Sequence, residues 1–292
     1  MMERGVTYLL TGNKFLVVAA ISLRSLREHW DGPVTVFIDP EDPHLCTIRQ
    51  IASAASASAE SFDIHRQHRN TCYANKPRLP MTSPYRHTVQ IDADTVVVGD
   101  LGELWPTFDG ELVLTQFADW VTGPQGGPKS RHVYGRVASW EKADPILAQQ
   151  AMGAPYPAVN TGVLAYGREH PIVKTGWLAE TLKNPNAFMS DELAMQLIYP
   201  EYPNVRMLDD RWNFSPIYGT ARGRSDTRIV HNHGKKHANR EQNRALWWPH
   251  FRAAWDEDWG GIRAWCPGGD GRLAEYIKQH PEAMEEEPCQ SQ

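Results

Sequence analysis

The stretch "QIDADTVVVGD" (residues 90–100) places two aspartates, Asp92 and Asp94, one residue apart at the end of a strand-like run. A second β-branched run follows at once. Two carboxylates that close repel each other, and burying either one is costly. The remedy is a cation held between them. A D-x-D alone is a weak signal, because the spacing is common in surface turns. Context strengthens it here: a strand precedes it, apolar residues follow it, and further polar clusters fall at later strand ends.

Such a pair must be presented by a rigid layer. "GVTYLLTG" (5–12) reads as a strand ending in a small polar turn, and Leu16, Ala19, Leu23, Leu26 and Trp30 then share one helical face. "DGPVTVFID" (31–39) predicts a turn and a second strand. An Ala/Ser-rich helix over roughly 45–60 leads to a third strand near 61–66. A helical stretch with Lys76 feeds the strand "RHTVQI" that ends at Asp92. This alternation predicts an α/β fold, with parallel strands, crossover helices and a mononucleotide-binding half ahead of the aspartates. In open α/β sheets ligands sit beyond the carboxyl ends of strands. Thr11, Gly12, Asp39, Asp92 and Asp94 all fall at such ends.

Later segments continue the pattern. "ELVLTQFAD" (111–119) and "NTGVLAYG" (160–167) read as strands, and "SDELAMQLIY" (190–199) as a helix with acids in its first turn. Residues 120–139 are rich in glycine and polar residues and read as a mobile loop near the site. "TRIVHNHGKKH" (227–237) reads as a strand running into a basic, histidine-rich loop. Asp209 and Asp210 read as a capped turn before "RWNF". The last 50 residues read as helical and aromatic, with Trp247, Trp248, Phe251, Trp255 and Trp259 at a spacing that suits a core face.

Composition narrows the class. The chain has 292 residues, 41% of them hydrophobic and 22% charged, as in an ordinary globular enzyme. A formal net charge of -5 does not favour a large nucleic-acid footprint, which wants a basic excess. No run is apolar enough to cross a bilayer, and no signal-peptide core is seen near the start. Cys46, Cys72, Cys266 and Cys289 have no C-x-x-C spacing, which argues against a zinc site or a disulfide framework. A cytoplasmic location is the expectation.

With these segments in view, the sequence resembles glycosyltransferases of the GT-A fold, closest to family eight, the glycogenin and galactosyltransferase-like group. "NKPRLPMTSPYRHTVQIDADTVVVGDLGELW" (75–105) carries most of the resemblance. "VNTGVLAYG" resembles the family's Asn-x-Gly segment, "SDELAMQ" its Asp-Gln helix start, and "VHNHG" its His-x-x-Gly loop. The resemblance spans residues 75 to 237 and does not reach the last 50.

The resemblance implies a Rossmann-like nucleotide-binding half within a mixed central sheet. It places the transferase domain over 1–237 and a helical extension packed on it over 238–292, with about the last ten residues frayed. It further implies a donor such as UDP-glucose or UDP-galactose, held through Mn²⁺ or Mg²⁺ by Asp92, Asp94 and His231; imidazole favours Mn²⁺. Thr11, Gly12, Lys76, Asn160, Gly162, Gly234, Lys235 and Lys236 are the further donor-binding candidates. The family usually has a Lys three residues after the loop glycine, where this chain has His237. Asp191 and Glu192 are the candidate catalytic acids, and retention of anomeric configuration is expected. Where the family has a neutral amide, Glu192 supplies a second carboxylate. The acceptor would be a glycan, a lipid-linked sugar or a protein in preference to nucleic acid. "DADTVV" also resembles the D-x-D-x-T of haloacid-dehalogenase phosphatases, with Asp209 and Asp210 as the second acidic pair. A third reading is a non-catalytic sugar-nucleotide-binding module.

Overall fold

The computed structural model describes residues 2–11, 16–67, 71–116, 158–186, 189–214, 226–231 and 241–269. Gly12, the 120–139 segment, Gly234, Lys235, Lys236 and the terminal tail lie outside them.

Strand β1 (Met2–Leu10) is buried from Gly5 onward except for half-buried Leu9, so its residues face neighbours on both sides. Helix α1 (Leu16–Arg27) follows. It buries the predicted Leu16, Ala19, Leu23 and Leu26, and also Val17 and Ile21 on a second flank. It is therefore covered on two sides rather than one. Trp30 lies past the helix end, where its ring packs tilted against Trp105, centroids 4.7 Å apart. Strand β2 (Val34–Ile38) is wholly buried, as expected for a strand flanked by parallel partners.

Helix α2 (Leu45–Ala54) is shorter than the composition predicts. The chain turns left-handed at Ser56 (φ 49°), and Ala57 N–H returns to Ala52 O, which closes the helix. Strand β3 (Ser58–Ser61) consequently begins earlier than expected. Helix α3 (Thr71–Asn75), a 3₁₀ turn (Lys76–Arg78) and helix α4 (Leu79–Thr82) lead into β4 (Tyr85–Ile91). Short β5 (Thr95–Val97) comes immediately after the aspartates.

Beyond it lie β6 (Leu112–Gln116), β7 (Val159–Gly167), helix α5 (Trp177–Thr181), helix α6 (Ser190–Ile198) and β8 (Val205–Leu208). Strand β8 is absent from the sequence reading: it is four half-buried residues with an arginine inside, which leaves no alternation to detect. Last come β9 (Ile229–His231), helix α7 (Glu241–Asp256) and helix α8 (Ile262–Gly269).

Seven strands form one sheet in the order β3-β2-β1-β4-β7-β6-β8. Strand β7 alone opposes its neighbours, pairing antiparallel with β4 and β6, so the sheet is mixed. Strands β5 and β9 form a separate antiparallel pair in which Thr95 lies opposite His231. The main core fills one face between the sheet and helices α1 and α2. A second core joins β6 and β7 to α5 and α6. The C-terminal helices reach α1: Phe251 is fully buried against Val17, Ile21, Val96, Val230 and Ile262. Trp255 and Trp259 are partly buried against core residues, as their spacing suggests.

Candidate active site

The end of β4 is fastened before its carboxylates appear. Asp92 N–H donates to Gly162 O (2.7 Å), and Thr95 Oγ1 donates to Asp92 O (2.9 Å). The threonine of D-x-D-T thus closes the turn that splays the two aspartates. Ser22 Oγ sits 2.9 Å from the same hydroxyl and 3.2 Å from Tyr8 OH, tying the turn to α1 and β1.

His231 arrives from 137 residues downstream of Asp94 through the β5–β9 pairing. Its Nε2 lies 3.1 Å from Asp94 Oδ1 and 4.0 Å from Asp92 Oδ2. One ligand atom from each of Asp92, Asp94 and His231 falls within 4.8 Å of the others, the one such metal-competent group among the described residues. Two oxygens and an imidazole nitrogen suit Mn²⁺ or Mg²⁺. The donor set fits such a cation.

Lys76 comes from the 3₁₀ turn Lys76–Arg78. Asn75 grips the backbone of His65 through both ends of its amide (3.0 and 3.1 Å), which fixes the turn that launches Lys76. The ammonium donates to the Asp92 carboxylate at 2.7 Å and lies 3.5 Å from Asp191 Oδ2. Asp191 is 1% exposed and accepts from Thr161 Oγ1 (2.8 Å). Its Oδ1 is buried without a hydrogen-bond partner among the described residues. Glu192 Oε1 accepts from Asn160 Nδ2 at 2.6 Å. Both acids stand in the first turn of α6, where the helix dipole favours negative charge. Met189, just before, holds a left-handed backbone (φ 54°), an uncommon state for a side chain of this size.

Electrostatics follow this layout. Burial pushes Asp191 up to about 6, with Lys76 opposing and Glu192 adding to the rise. Burial raises Asp92 as well, against the pull of Lys76 and His231. For Asp94 burial is outweighed by His231 beside it, and the carboxyl is lowered. For His231 burial is in turn outweighed by Asp94, and the imidazole is raised. Lys76 is raised too, because the carboxylates of Asp92 and Asp191 outweigh its burial. Asp92 and Asp94 are half-buried, and each faces a different nitrogen base at short range: Lys76 for the first and His231 for the second.

The sequence candidates thus gather in part. Asp92, Asp94, His231, Lys76, Asn160, Gly162, Asp191 and Glu192 meet around one locus, and Thr11 directly follows β1, the strand beside β4. Gly162 has a packing role: a methyl there would fall 2.0 Å from His231 Cε1, so only glycine lets the ring lie against β7. Asp209 caps its turn as expected, accepting from Arg211 N–H (3.2 Å), and stays outside the metal-competent group. Asn213 and Thr115 adjoin the site and escape sequence reasoning, since neutral residues without a motif carry no local signal, and Thr161 is the variable position of the Asn-x-Gly segment.

No family model matches the chain, and no curated protein matches it. Solved structures do. The bifunctional glycosyltransferase WbbM is 16% identical over 86% of this chain, with a TM-score of 0.59. Glycosyltransferase GlyE of Streptococcus pneumoniae is 16% identical over the whole chain, TM-score 0.58. This chain spans 49% of the WbbM chain and 66% of the GlyE chain. The galactosyltransferase LgtC, in complex with donor and acceptor sugar analogs, is 15% identical over 88% of this chain and 95% of its own, TM-score 0.55. The mixed seven-stranded sheet with flanking helices is therefore the GT-A fold of these enzymes.

Proposed function

We propose that a chain with this fold and this cluster is a metal-dependent glycosyltransferase. It moves a hexose from a nucleotide-diphosphate sugar, UDP-glucose or UDP-galactose, to an acceptor hydroxyl with retention. The observation that carries the reading is the Asp92–Asp94–His231 set, with ligand atoms within 4.8 Å, at the carboxyl end of β4 in a GT-A sheet. That LgtC has been solved with donor and acceptor sugar analogs supports a donor and a glycan acceptor here. A lipid-linked sugar or a protein would offer the same hydroxyl.

A divalent cation bound there supplies positive charge to the departing diphosphate. Asp92, Asp94 and His231 hold that cation, and Lys76, already 2.7 Å from Asp92, keeps further positive charge at the same place. Thr11 and the strand ends beside it hold the nucleoside. Asp191 is the principal acid–base group at the sugar: it is buried, its carboxyl is raised to about 6, and one of its oxygens is uncommitted among the described residues. Glu192, engaged by Asn160, orients the pocket wall. Gly12, after the first strand, joins Thr11 at the base or ribose, and Gly234, Lys235 and Lys236 are assigned to the donor phosphates.

The test is donor hydrolysis and transfer measured after exhaustive EDTA treatment, then with Mn²⁺ and Mg²⁺ restored. Activity should vanish and return, with Mn²⁺ at least as good. Full activity without metal sinks the reading. A non-catalytic module would bind UDP-sugar with Mn²⁺ and never turn it over. A phosphatase would release phosphate from sugar phosphates. Product anomers read by NMR from an α-linked donor decide stereochemistry, a β-linked product excluding retention.

A further inference from the structure

Among the buried groups that the proposed chemistry leaves unused, Asn213 stands out. It is 1% exposed and follows the 3₁₀ turn Asp210–Trp212. Its amide is surrounded by acceptors on one side. Nδ2 reaches Thr115 Oγ1 (2.9 Å), Asn160 Oδ1 (3.0 Å) and Asn160 O (3.2 Å). Thr115 spends its own proton on Val163 O at 2.8 Å, so its oxygen must accept. Asn160 Oδ1 also accepts from Gly162 N–H (2.8 Å). Turning the Asn213 amide over would aim its oxygen at three acceptors. The NH₂ therefore faces them, and the carbonyl faces outward.

That outward oxygen lies 2.8 Å from His231 Nδ1. An acceptor there holds the proton on Nδ1 and leaves the lone pair on Nε2, the nitrogen that faces Asp94 and Asp92. We infer that Asn213 is a positioning residue for the metal: it fixes His231 in the Nδ1–H tautomer, the one able to ligate through Nε2. The inference rests on the metal reading above and adds a residue that no motif marks. Metal-binding histidines generally donate their other ring nitrogen to a fixed acceptor, and losing that partner costs 10–100-fold in affinity. The chain runs on through Asn160 to Glu192, so one network orients both the metal ligand and an acid of the sugar pocket.

Without its Asn213 partner, the neutral imidazole has a better alternative. It can place the proton on Nε2 and donate to Asp94 Oδ1, which blocks ligation. The experiment uses the full chain with Mn²⁺ alone as probe, free Mn²⁺ being counted by electron paramagnetic resonance. It compares wild type, Asn213→Leu and Asn213→Asp, all checked for folding by circular dichroism. In parallel, ¹⁵N shifts of His231 are read in metal-free protein at alkaline pH. Asn213→Leu should bind Mn²⁺ roughly 10–100-fold more weakly. Asn213→Asp keeps an acceptor at Nδ1 and, protonated on the oxygen that faces Thr115 and Asn160, can still donate to them, so it should recover part of the loss. The wild-type spectrum should show Nδ1–H, and the Leu variant a shift towards Nε2–H. Equal Mn²⁺ affinity in wild type and Asn213→Leu overturns the inference, as does an equal loss in Leu and Asp. A wild-type Nε2–H tautomer overturns it without any variant. If wild type takes up no Mn²⁺ yet shows Nδ1–H, the metal reading has failed and the tautomer assignment has not.

Discussion

At the scale of single residues, the site is a compromise between charge and burial. Asp191 shows it best. Its carboxyl is raised to about 6 by burial, whereas an unfolded chain releases the same proton near the ordinary carboxylate value. The folded state therefore holds the proton longer. The group costs nothing below the unfolded value, and the cost grows as pH rises to about 6, then stays constant. Asp191→Asn removes that cost. Its melting temperature should equal wild type near pH 4 and exceed it at pH 8, by a stability on the order of a few kcal/mol. Turnover should fall ~10²-fold or more, the scale of losing a positioned acid-base group, with Glu192→Gln milder. Melts across pH and initial rates check both halves; a variant less stable than wild type at pH 8 would contradict the electrostatic account. Lys76 works in the other sense. Lys76→Met leaves Asp92 and Asp191 without their ammonium, and breaking such a buried pair costs roughly 3–5 kcal/mol. The metal-free melt should drop by several degrees, and Mn²⁺ should restore part of it. A melt matching wild type without metal would remove Lys76 from the structural role.

At the scale of elements, β7 does two jobs. It separates β4 from β6, and through Gly162 it makes room for a ring delivered by β9. Gly162→Ala brings a methyl 2.0 Å from His231 Cε1, closer than any real contact, so the ring must move. The strand itself can accept alanine, because Gly162 has no positive φ. We expect a folded protein whose Mn²⁺ affinity is down about 10-fold or more, the order seen when ligand orientation is disturbed. Mn²⁺ titration beside circular dichroism measures it, and wild-type affinity in a folded Gly162→Ala would show that the ring does not depend on that space. The β5–β9 pair matters for the same reason: three residues on each side hold the D-x-D turn against its histidine.

At the scale of the whole molecule, the C-terminal helices are tied to the site from behind. Phe251 packs on Val17 and Ile21 of α1, on Val96 of β5 and on Val230 of β9. Arg24 of α1 also meets Glu257 just past α7, at 2.6 Å. Phe251→Ala should cost about 3–5 kcal/mol, as for other buried aromatics. Amide exchange should quicken at Val96 and Val230 before it does in β1. Unchanged protection of those two strands, with a lowered melt, would mean that the helices brace α1 alone.

What the sequence determined by itself is what local pattern can encode. The alternation of strands and helices up to Asp92, the acids at the start of α6 and the capped turn at Asp209 each show within a few residues, because periodicity and capping are short-range. The D-x-D at the end of a strand marks Asp92 and Asp94 as a candidate cation site, because two carboxylates that close repel each other. Tertiary structure decided the rest. Nothing near Val159–Gly167 tells that β7 enters between β4 and β6 and runs against them, since pairing partners are chosen by long-range packing. Helix α2 stops at Ala54 because the backbone turns at Ser56, a serine no different in type from its neighbours. The meeting of Asp94 with His231 spans 137 residues, and the place of Asn213 between His231 and Asn160 belongs to no motif. A neutral amide becomes specific only when the acceptors around it are fixed, and the folded sheet is what fixes them.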